Sequence, residues 1–100
     1  MRRACGVALL LAGCASGGLA PEESRIRALL WDAATECARA SATIAITDVD
    51  HYGRVHYSLQ QGGKQDVPEW ERCYQSKTRE AFSKSPELAA YYREKIVPRQ

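Results

Sequence analysis

Histidine is scarce in this 100-residue sequence. With His51 and His56 as its only two histidines, it has few side chains able to act as a general base near neutral pH. It also has no GxSxG nucleophile turn, no HExxH metal motif and no glycine-rich phosphate loop. A CxxC pair, which is typical of structural zinc sites, is missing as well. We therefore predict a protein that is not an enzyme and that uses no cofactor.

An excess of charge of one sign is absent beyond the first few residues. The formal net charge of +2 comes from Arg2 and Arg3, because the other 12 Lys and Arg residues balance 12 Asp and Glu residues. A neutral surface that mixes both signs is typical of an ordinary soluble domain and gives no basis for binding nucleic acid. We therefore predict no nucleic-acid partner.

A short apolar stretch after these arginines ends at Leu11-Ala12-Gly13-Cys14. The basic start, the apolar centre at residues 4–11 and the small residues before a cysteine resemble the lipobox signal of bacterial lipoproteins. The resemblance covers residues 1–14. It implies removal of residues 1–13, a diacylglycerol on the thiol of Cys14 and an acylated new amino terminus. Membrane lipid attached through Cys14 is therefore the first expected partner, since two or more acyl chains anchor a protein stably.

This interpretation divides the chain into a signal peptide at residues 1–13, a lipidated cysteine with a flexible tether at 14–20, and one small globular domain at 21–100. The six residues between the lipidated cysteine and the domain span at most about 20 Å, so the domain would lie beside its membrane. The resemblance implies the bacterial cell envelope, and Ala15 after the cysteine favours the outer membrane, facing the periplasm.

The alternative is an uncleaved amino-terminal segment that makes the protein a single-pass membrane protein. Residues 4–20 contain 17 uncharged positions, the lower limit for a membrane span. Four glycines weaken this segment as a helix, so the lipobox interpretation is the one that we carry forward.

The cysteines divide in the same way along the chain. Cys5 lies in the signal and Cys14 accepts the lipid, which leaves Cys37 and Cys73 in the domain. Two such thiols in an oxidising compartment favour a disulfide. The bond would close a loop of about 37 residues and stabilise the fold by roughly 3.8 kcal/mol, a large contribution for so small a core.

Residues 21–41 have the spacing of an amphipathic helix. One stripe, recurring every three or four positions, consists of Ile26, Leu29, Leu30, Ala33, Cys37 and Ala40. Glu22 and Glu23 lie at the positive end of the helix dipole. Trp31 falls off the stripe, so we expect it to cover a second packing surface or to face lipid headgroups.

Two alternating segments, residues 43–49 and 54–60, predict a β-hairpin. Between them, Asp50-His51-Tyr52-Gly53 is typical of a turn in which glycine takes the positive φ. An isolated hairpin is only marginally stable, so we expect the helices to cover one face of it. That face carries Ile44, Ile46, Val55, Tyr57 and Leu59.

The rest of the chain predicts two more helices. Asp66, three residues before Glu69, predicts an Asp-type capping box that opens a helix reaching Lys84. Ser85-Pro86 predicts the start of a third helix, which Pro98 ends. The apolar positions of the two helices are Trp70, Cys73, Tyr74, Ala81, Phe82, Leu88, Tyr91, Tyr92 and Ile96. The predicted fold is a small single α+β domain with the order α-β-β-α-α, a two-stranded antiparallel hairpin packed on helices, and one disulfide.

The order of elements supports a second resemblance. A cysteine-bearing helix, a strand, a turn ending in Gly53-Arg54-Val55, a second strand and another cysteine-bearing helix look like the C-terminal domains of TonB- and TolA-type envelope proteins, over residues 26–82. The strand that those domains usually place after the helix is missing here. The resemblance implies protein binding in the periplasm, so an envelope protein is the second partner that we consider.

We therefore predict a non-enzymatic protein-binding or structural module, with the hairpin edge and the loop at residues 50–53 as its contact surfaces. The alternative hypothesis is a metal-binding site, whose ligands would be Asp48, Asp50, His51 and His56. The spacing of its acids, with Gly53 sixth, looks like an EF-hand calcium loop. The twelfth place is Leu59, so the closing bidentate carboxylate is missing, which leaves a transition metal as the alternative.

Overall fold

A computed structural model describes residues 20–100 of the chain, so the predicted signal peptide, Cys14 and most of the tether lie outside the described residues. The described elements are helix α1 (Pro21–Ala38), strands β1 (Ile44–Val49) and β2 (Val55–Leu59), and helices α2 (Val67–Ser83) and α3 (Pro86–Tyr91). The predicted order α-β-β-α-α is confirmed. Within residues 20–100, no helix is long and apolar enough to cross a membrane.

Helix α1 begins at Pro21, whose fixed φ suits the first helical position. Its buried side chains are Glu23, Ile26, Leu30, Ala33, Ala34, Cys37 and Ala38. The predicted stripe is wrong at Ala40, which lies exposed beyond the end of the helix. Ala34 is buried instead, because its small side chain lets Trp70 of α2 approach the helix backbone and donate its indole N–H to the Ala34 carbonyl at 3.0 Å. Trp31 remains 39% exposed.

The two strands form an antiparallel hairpin, and its turn contains Gly53 at a φ of +79°, as predicted. The register pairs Ile46 with Tyr57 and Asp48 with His56, so Thr47 forms a bulge without a partner in β2. One extra residue reverses the alternation of side chains between the two faces. Val49 therefore turns into the core and is 3% exposed, a position that the simple alternation did not predict.

The prediction that helices cover one whole face of the hairpin is wrong for its outer strand. Ile44 is buried and Val55 is half-buried, but Tyr57 and Leu59 are 37% and 42% exposed. The physical reason is that α1 packs mainly against β1, so the outer part of β2 lies beyond the helical layer.

The core consists of two clusters of buried side chains. One joins α1, β1 and α2 and contains Ala34, Cys37, Ala38, Ile44 and Trp70. The other joins α1, the end of β1 and α3 and contains Ile26, Leu30, Val49 and Leu88. The predicted disulfide between Cys37 and Cys73 is confirmed and links α1 to α2, with a Cα to Cα distance of 5.8 Å.

Asp66 is the N-cap residue of α2, as the sequence predicts, but the capping box itself does not form. Asp66 ends a 3-10 turn (Gly63–Asp66) and its carboxylate makes no capping hydrogen bond to α2. Asp66 Oδ2 instead accepts hydrogen bonds from the hydroxyls of Thr43 at 2.5 Å and Ser41 at 3.2 Å. The side chain is drawn to the α1–β1 loop, because hydroxyl donors from that loop lie within its reach.

The third helix does not end at Pro98 as predicted. After α3 the backbone continues as a π-helical turn (Tyr92–Ile96) and a 3-10 turn (Val97–Arg99). Pro98 lies in the first residues of the 3-10 turn, where a missing N–H costs no internal hydrogen bond. This continuation carries the carboxyl terminus back to the hairpin.

Candidate functional site

The hairpin turn is organised by the side chain of Asp50. Its Oδ1 accepts hydrogen bonds from the backbone N–H groups of Tyr52 and Arg54, both at 3.0 Å, and its Oδ2 lies 2.7 Å from His56 Nε2. The hydrogen bond with His56 lowers the pKa of Asp50, and the two backbone N–H groups add to this while burial opposes it. Asp50 is therefore held as an acceptor that closes the turn.

The four predicted metal ligands are only partly brought together. Asp50 and His56 meet, but the Asp48 side chain is 63% exposed and lies 4.0 Å from the Arg27 guanidinium. The His51 ring packs against its neighbour Tyr52, with ring centroids 4.0 Å apart. In the described range 20–100, no group of three or more His, Cys, Asp or Glu side chains is placed to hold a metal ion.

A clamp from the carboxyl terminus lies beside this turn and was not predicted. The Arg99 guanidinium binds both carboxylate oxygens of Glu23, at 3.1 and 3.0 Å, and donates to the His51 carbonyl at 2.8 Å. Gln100 Nε2 donates to the Tyr52 carbonyl at 2.7 Å. The charge of Glu23 in the first turn of α1 was visible in the sequence, but no periodicity links it to a residue 76 positions away.

The clamp changes the charge balance of a buried carboxylate. Glu23 is only 6% exposed, and the hydrogen bond from Arg99 lowers its pKa below the usual value of 4.5 against the opposing effect of burial. The same bond raises the pKa of Arg99. Because the carbonyls of His51 and Tyr52 are already bonded, the turn at residues 50–53 joins the hairpin to the carboxyl terminus.

The backbone of β2 has an outer side that faces away from β1. The hydrogen bonds Gln60 N to Thr43 O at 2.7 Å and Asp50 N to Arg54 O at 3.0 Å identify the hydrogen-bonded pairs at the two ends of the ladder. Hydrogen-bonded and non-hydrogen-bonded pairs alternate in an antiparallel ladder. The outward residues of β2 are therefore Val55, Tyr57 and Leu59, whose N–H and C=O groups have no hydrogen-bond partner within residues 20–100.

Exposed apolar side chains accompany this open backbone. Tyr57 and Leu59 are among the few large hydrophobic side chains of the described chain that remain exposed. The Tyr57 ring lies tilted against Trp70, with ring centroids 5.4 Å apart, and Trp70 in turn stacks on Tyr74 at 5.1 Å. Tyr57 thus contacts the core through Trp70 and is still 37% exposed to solvent. We call Val55–Leu59, with its outward backbone groups, the open edge.

At the opposite edge of the hairpin, one outward carbonyl of β1 already has a hydrogen-bond partner. The Arg27 guanidinium of α1 donates two hydrogen bonds to the carbonyl of Val49 in β1, at 3.1 and 2.5 Å. Helix α1 also packs along β1. Because the helix contacts β2 much less than β1, β2 is the strand that we consider as the site for a further strand.

In addition to the open edge, the described residues form two concave surfaces. A groove of about 570 Å³ between α1 and α2 has an apolar floor that includes Leu29, Ala33 and Leu88, and the Lys77 ammonium lies 3.3 Å from Glu36 at its rim. A second depression of about 480 Å³ lies beside the disulfide. Neither lining contains a histidine, and four of the six charged residues that line the first form two ion pairs, Lys77 with Glu36 and Lys84 with Glu80.

No family model, no curated protein and no solved structure matches this chain. The described residues form a small, disulfide-linked α+β domain in which strand β2 has an open edge. The open edge and the amino-terminal sequence are the two features that bear on its role.

Proposed function

We propose that this protein is a small lipid-anchored lipoprotein of the bacterial cell envelope, tethered through Cys14 at the outer membrane facing the periplasm. Its domain is a non-enzymatic module that binds a protein of the envelope at the open edge. The resemblance of residues 1–14 to a lipobox supports the anchor. The disulfide Cys37–Cys73 supports an oxidising compartment, since such bonds are rare where glutathione keeps thiols reduced.

The observation that carries the binding proposal is the open edge itself. Outward N–H and C=O groups at Val55, Tyr57 and Leu59 provide the main-chain bonds by which an extended peptide adds a strand to a sheet. Each such bond contributes a net amount of about 0.5–1.5 kcal/mol. The exposed Tyr57 and Leu59 side chains offer apolar contact on one face of that added strand.

The anchor also favours a partner close to the membrane. A tether of six residues reaches at most about 20 Å, so the domain samples a thin layer above the lipid surface. A protein held in that layer meets other membrane-bound proteins more often than soluble substrates. The proposal therefore places the partner in or on the same membrane.

Replacing Cys14 with serine tests the anchor. We expect Cys14→Ser to abolish incorporation of labelled palmitate and to leave the precursor at full length, because the thiol is the only group at that position that can form the thioether. The measurement is labelling in cells followed by electrophoresis. A variant that still takes up palmitate and is still shortened would refute the lipobox interpretation.

The backbone of the open edge can be tested separately from its side chains. Leu59→Pro removes one outward N–H without removing a bond to β1, whereas Leu59→Ala removes the side chain and keeps that N–H. We expect chemical crosslinking in intact cells to lose the partner adduct in Leu59→Pro and to keep part of it in Leu59→Ala.

Circular dichroism of the purified variants checks that both remain folded. If Leu59→Pro does not accumulate, Leu59→Lys replaces it, with Val97→Lys as its control. Both positions are 42% exposed, but Val97 lies in the carboxyl-terminal 3-10 turn rather than on the edge. Equal adduct yields in the Leu59 variant and its control would contradict binding at the open edge.

A further inference from the structure

The open edge lacks several of the features by which monomeric proteins protect exposed strands. Such edges are usually blocked by a charged side chain, a proline or a bulge. The strand Val55–Leu59 has none of these, since the bulge of this hairpin lies in β1 and the nearest charge, Arg54, precedes the strand. The strand is short, which limits its pairing, but it is uncharged and partly apolar and is therefore compatible with a strand of its own sequence.

We propose that the partner at this edge is a second copy of the same chain, with β2 paired to β2 in antiparallel orientation about a two-fold axis at Tyr57. The inference rests on the proposed function, because it names the occupant of the same edge. Tyr57 then lies opposite Tyr57 of the second copy, and Val55 lies opposite Leu59 of the second copy. An interface in which one patch meets itself is the usual arrangement of two-fold dimers.

This register satisfies every outward backbone group of the strand. Val55, Tyr57 and Leu59 all direct N–H and C=O groups away from β1, and the two-fold register pairs each of them with another outward residue. About six main-chain hydrogen bonds then join the two copies. The two hairpins become one sheet of four strands, above the minimum of about three that a sheet needs for stability of its own.

The side chains agree with the same register. Val55, Tyr57 and Leu59 share one face of the strand because side chains alternate, so pairing forms a continuous apolar row across both copies. It covers the side chains that are 37% and 42% exposed in the single chain. On the other face His56 lies opposite Ser58 of the second copy. The two Arg54 side chains are roughly 20 Å apart along the paired strands, which is too far for strong repulsion at physiological salt.

The membrane supplies what the small contact area lacks. A strand pair of five residues is a small interface beside the roughly 1,200–2,000 Å² of stable complexes. Two copies anchored in one membrane by short tethers have a raised effective concentration and a shared orientation. The pairing is accordingly a property of the lipid-anchored protein and weakens when the anchor is absent.

Cysteine substitutions in the full chain test the register in intact cells. Residues in a hydrogen-bonded antiparallel pair have Cα atoms about 5.5 Å apart, which permits a disulfide. We expect Tyr57→Cys alone to form a disulfide-linked dimer. Val55→Cys alone should form none above the wild type, because its two copies lie roughly 13 Å apart. Co-expression of Val55→Cys with Leu59→Cys should restore the dimer.

The wild type controls for any dimer formed through Cys5 or Cys14. If Tyr57→Cys does not accumulate, the mixed pair Val55→Cys and Leu59→Cys carries the same test without altering Tyr57. The proposed pairing is overturned if Tyr57→Cys and the mixed pair both give no more dimer than the wild type. It is also overturned if Val55→Cys alone gives as much dimer as Tyr57→Cys or the mixed pair.

A photo-crosslinking amino acid at position 57 of the full chain separates the two proposals. An adduct at twice the chain mass supports self-pairing. An adduct only with a protein of another mass overturns self-pairing and leaves binding at the open edge standing. Absence of any adduct, in protein shown to be membrane-bound, overturns both.

Discussion

At the scale of single residues, Gly53 joins turn chemistry to tertiary packing. Its φ of +79° lies in the left-handed region, and a Cβ at this position would lie 2.9 Å from Ile96 Cγ2 and 3.3 Å from Tyr92 Cε1. Gly62 has a similar φ of +84°, but nothing lies within 4 Å of the Cβ that it would carry. The two glycines therefore separate the cost of a left-handed backbone from the cost of crowding.

We expect Gly53→Ala to lower the free energy of unfolding by about 2–5 kcal/mol, of which about 1–2 arises from the backbone and about 1–3 from crowding. Gly62→Ala should lose only the backbone part, about 1–2 kcal/mol. Urea unfolding followed by circular dichroism measures both. Equal losses would mean that the turn does not pack on the carboxyl-terminal helix.

At the scale of elements, the contact between α1 and α2 combines a covalent bond with a buried aromatic group. The disulfide Cys37–Cys73 lies next to Trp70, whose indole N–H is bonded to the backbone of α1 and whose ring stacks on Tyr74. Burial raises the pKa of Tyr74 above its usual value. The joint therefore holds the helices that support the inner face of the hairpin.

We expect the double variant Cys37→Ser with Cys73→Ser to lower the free energy of unfolding by about 3.8 kcal/mol, because its unfolded chain loses a closed loop. Loss of a native disulfide from so small a domain often abolishes folding at 37 °C, so the variant should be largely unfolded there. Thermal unfolding of the wild type with and without reductant is the matched comparison. Unchanged stability on reduction would show that the bond is not a main support of the fold.

At the scale of the whole molecule, the carboxyl terminus connects the start of α1 to the hairpin turn. Arg99 bridges Glu23 and the His51 carbonyl, and Gln100 holds the Tyr52 carbonyl. Three distant parts of the chain are thereby fixed to one another. The arrangement orients the hairpin, and with it the open edge, relative to the first helix.

Acid should weaken this arrangement. The pKa values of Glu23 and Asp50 lie below their usual values of 4.5 and 3.8, so each group stabilises the fold above its unfolded-state pKa. That stabilisation is lost as the pH falls through the lower, folded-state pKa. We expect a melting temperature that changes little between about pH 7 and pH 5 and that falls progressively below about pH 4.5.

The variant Glu23→Gln isolates the clamp, and Glu22→Gln in the same helical turn is its control. We expect Glu23→Gln to melt at a lower temperature at pH 7 and to show a shallower acid dependence, because its amide cannot titrate. Glu22→Gln should follow the wild type. Identical acid profiles for the wild type and Glu23→Gln would argue against a stabilising pair with Arg99.

Features that depend on residues close together in the chain could be predicted from the sequence. The first helix follows from the spacing of apolar residues, and the hairpin turn follows from Asp50 and Gly53, because these signals act within a few positions of the chain. The pairing of Cys37 with Cys73 was predicted because the lipobox resemblance implies other roles for Cys5 and Cys14.

The contacts between those elements depend on the tertiary structure and could not be predicted from local sequence patterns. The bulge at Thr47 turns Val49 inward, although strict alternation gives no sign of it. Packing of α1 against β1 leaves Tyr57 and Leu59 exposed, so the open edge depends on how far one helix reaches across two strands. The pair Glu23–Arg99 forms because α1, the hairpin and the carboxyl terminus meet in space, a contact across 76 positions that no local pattern encodes.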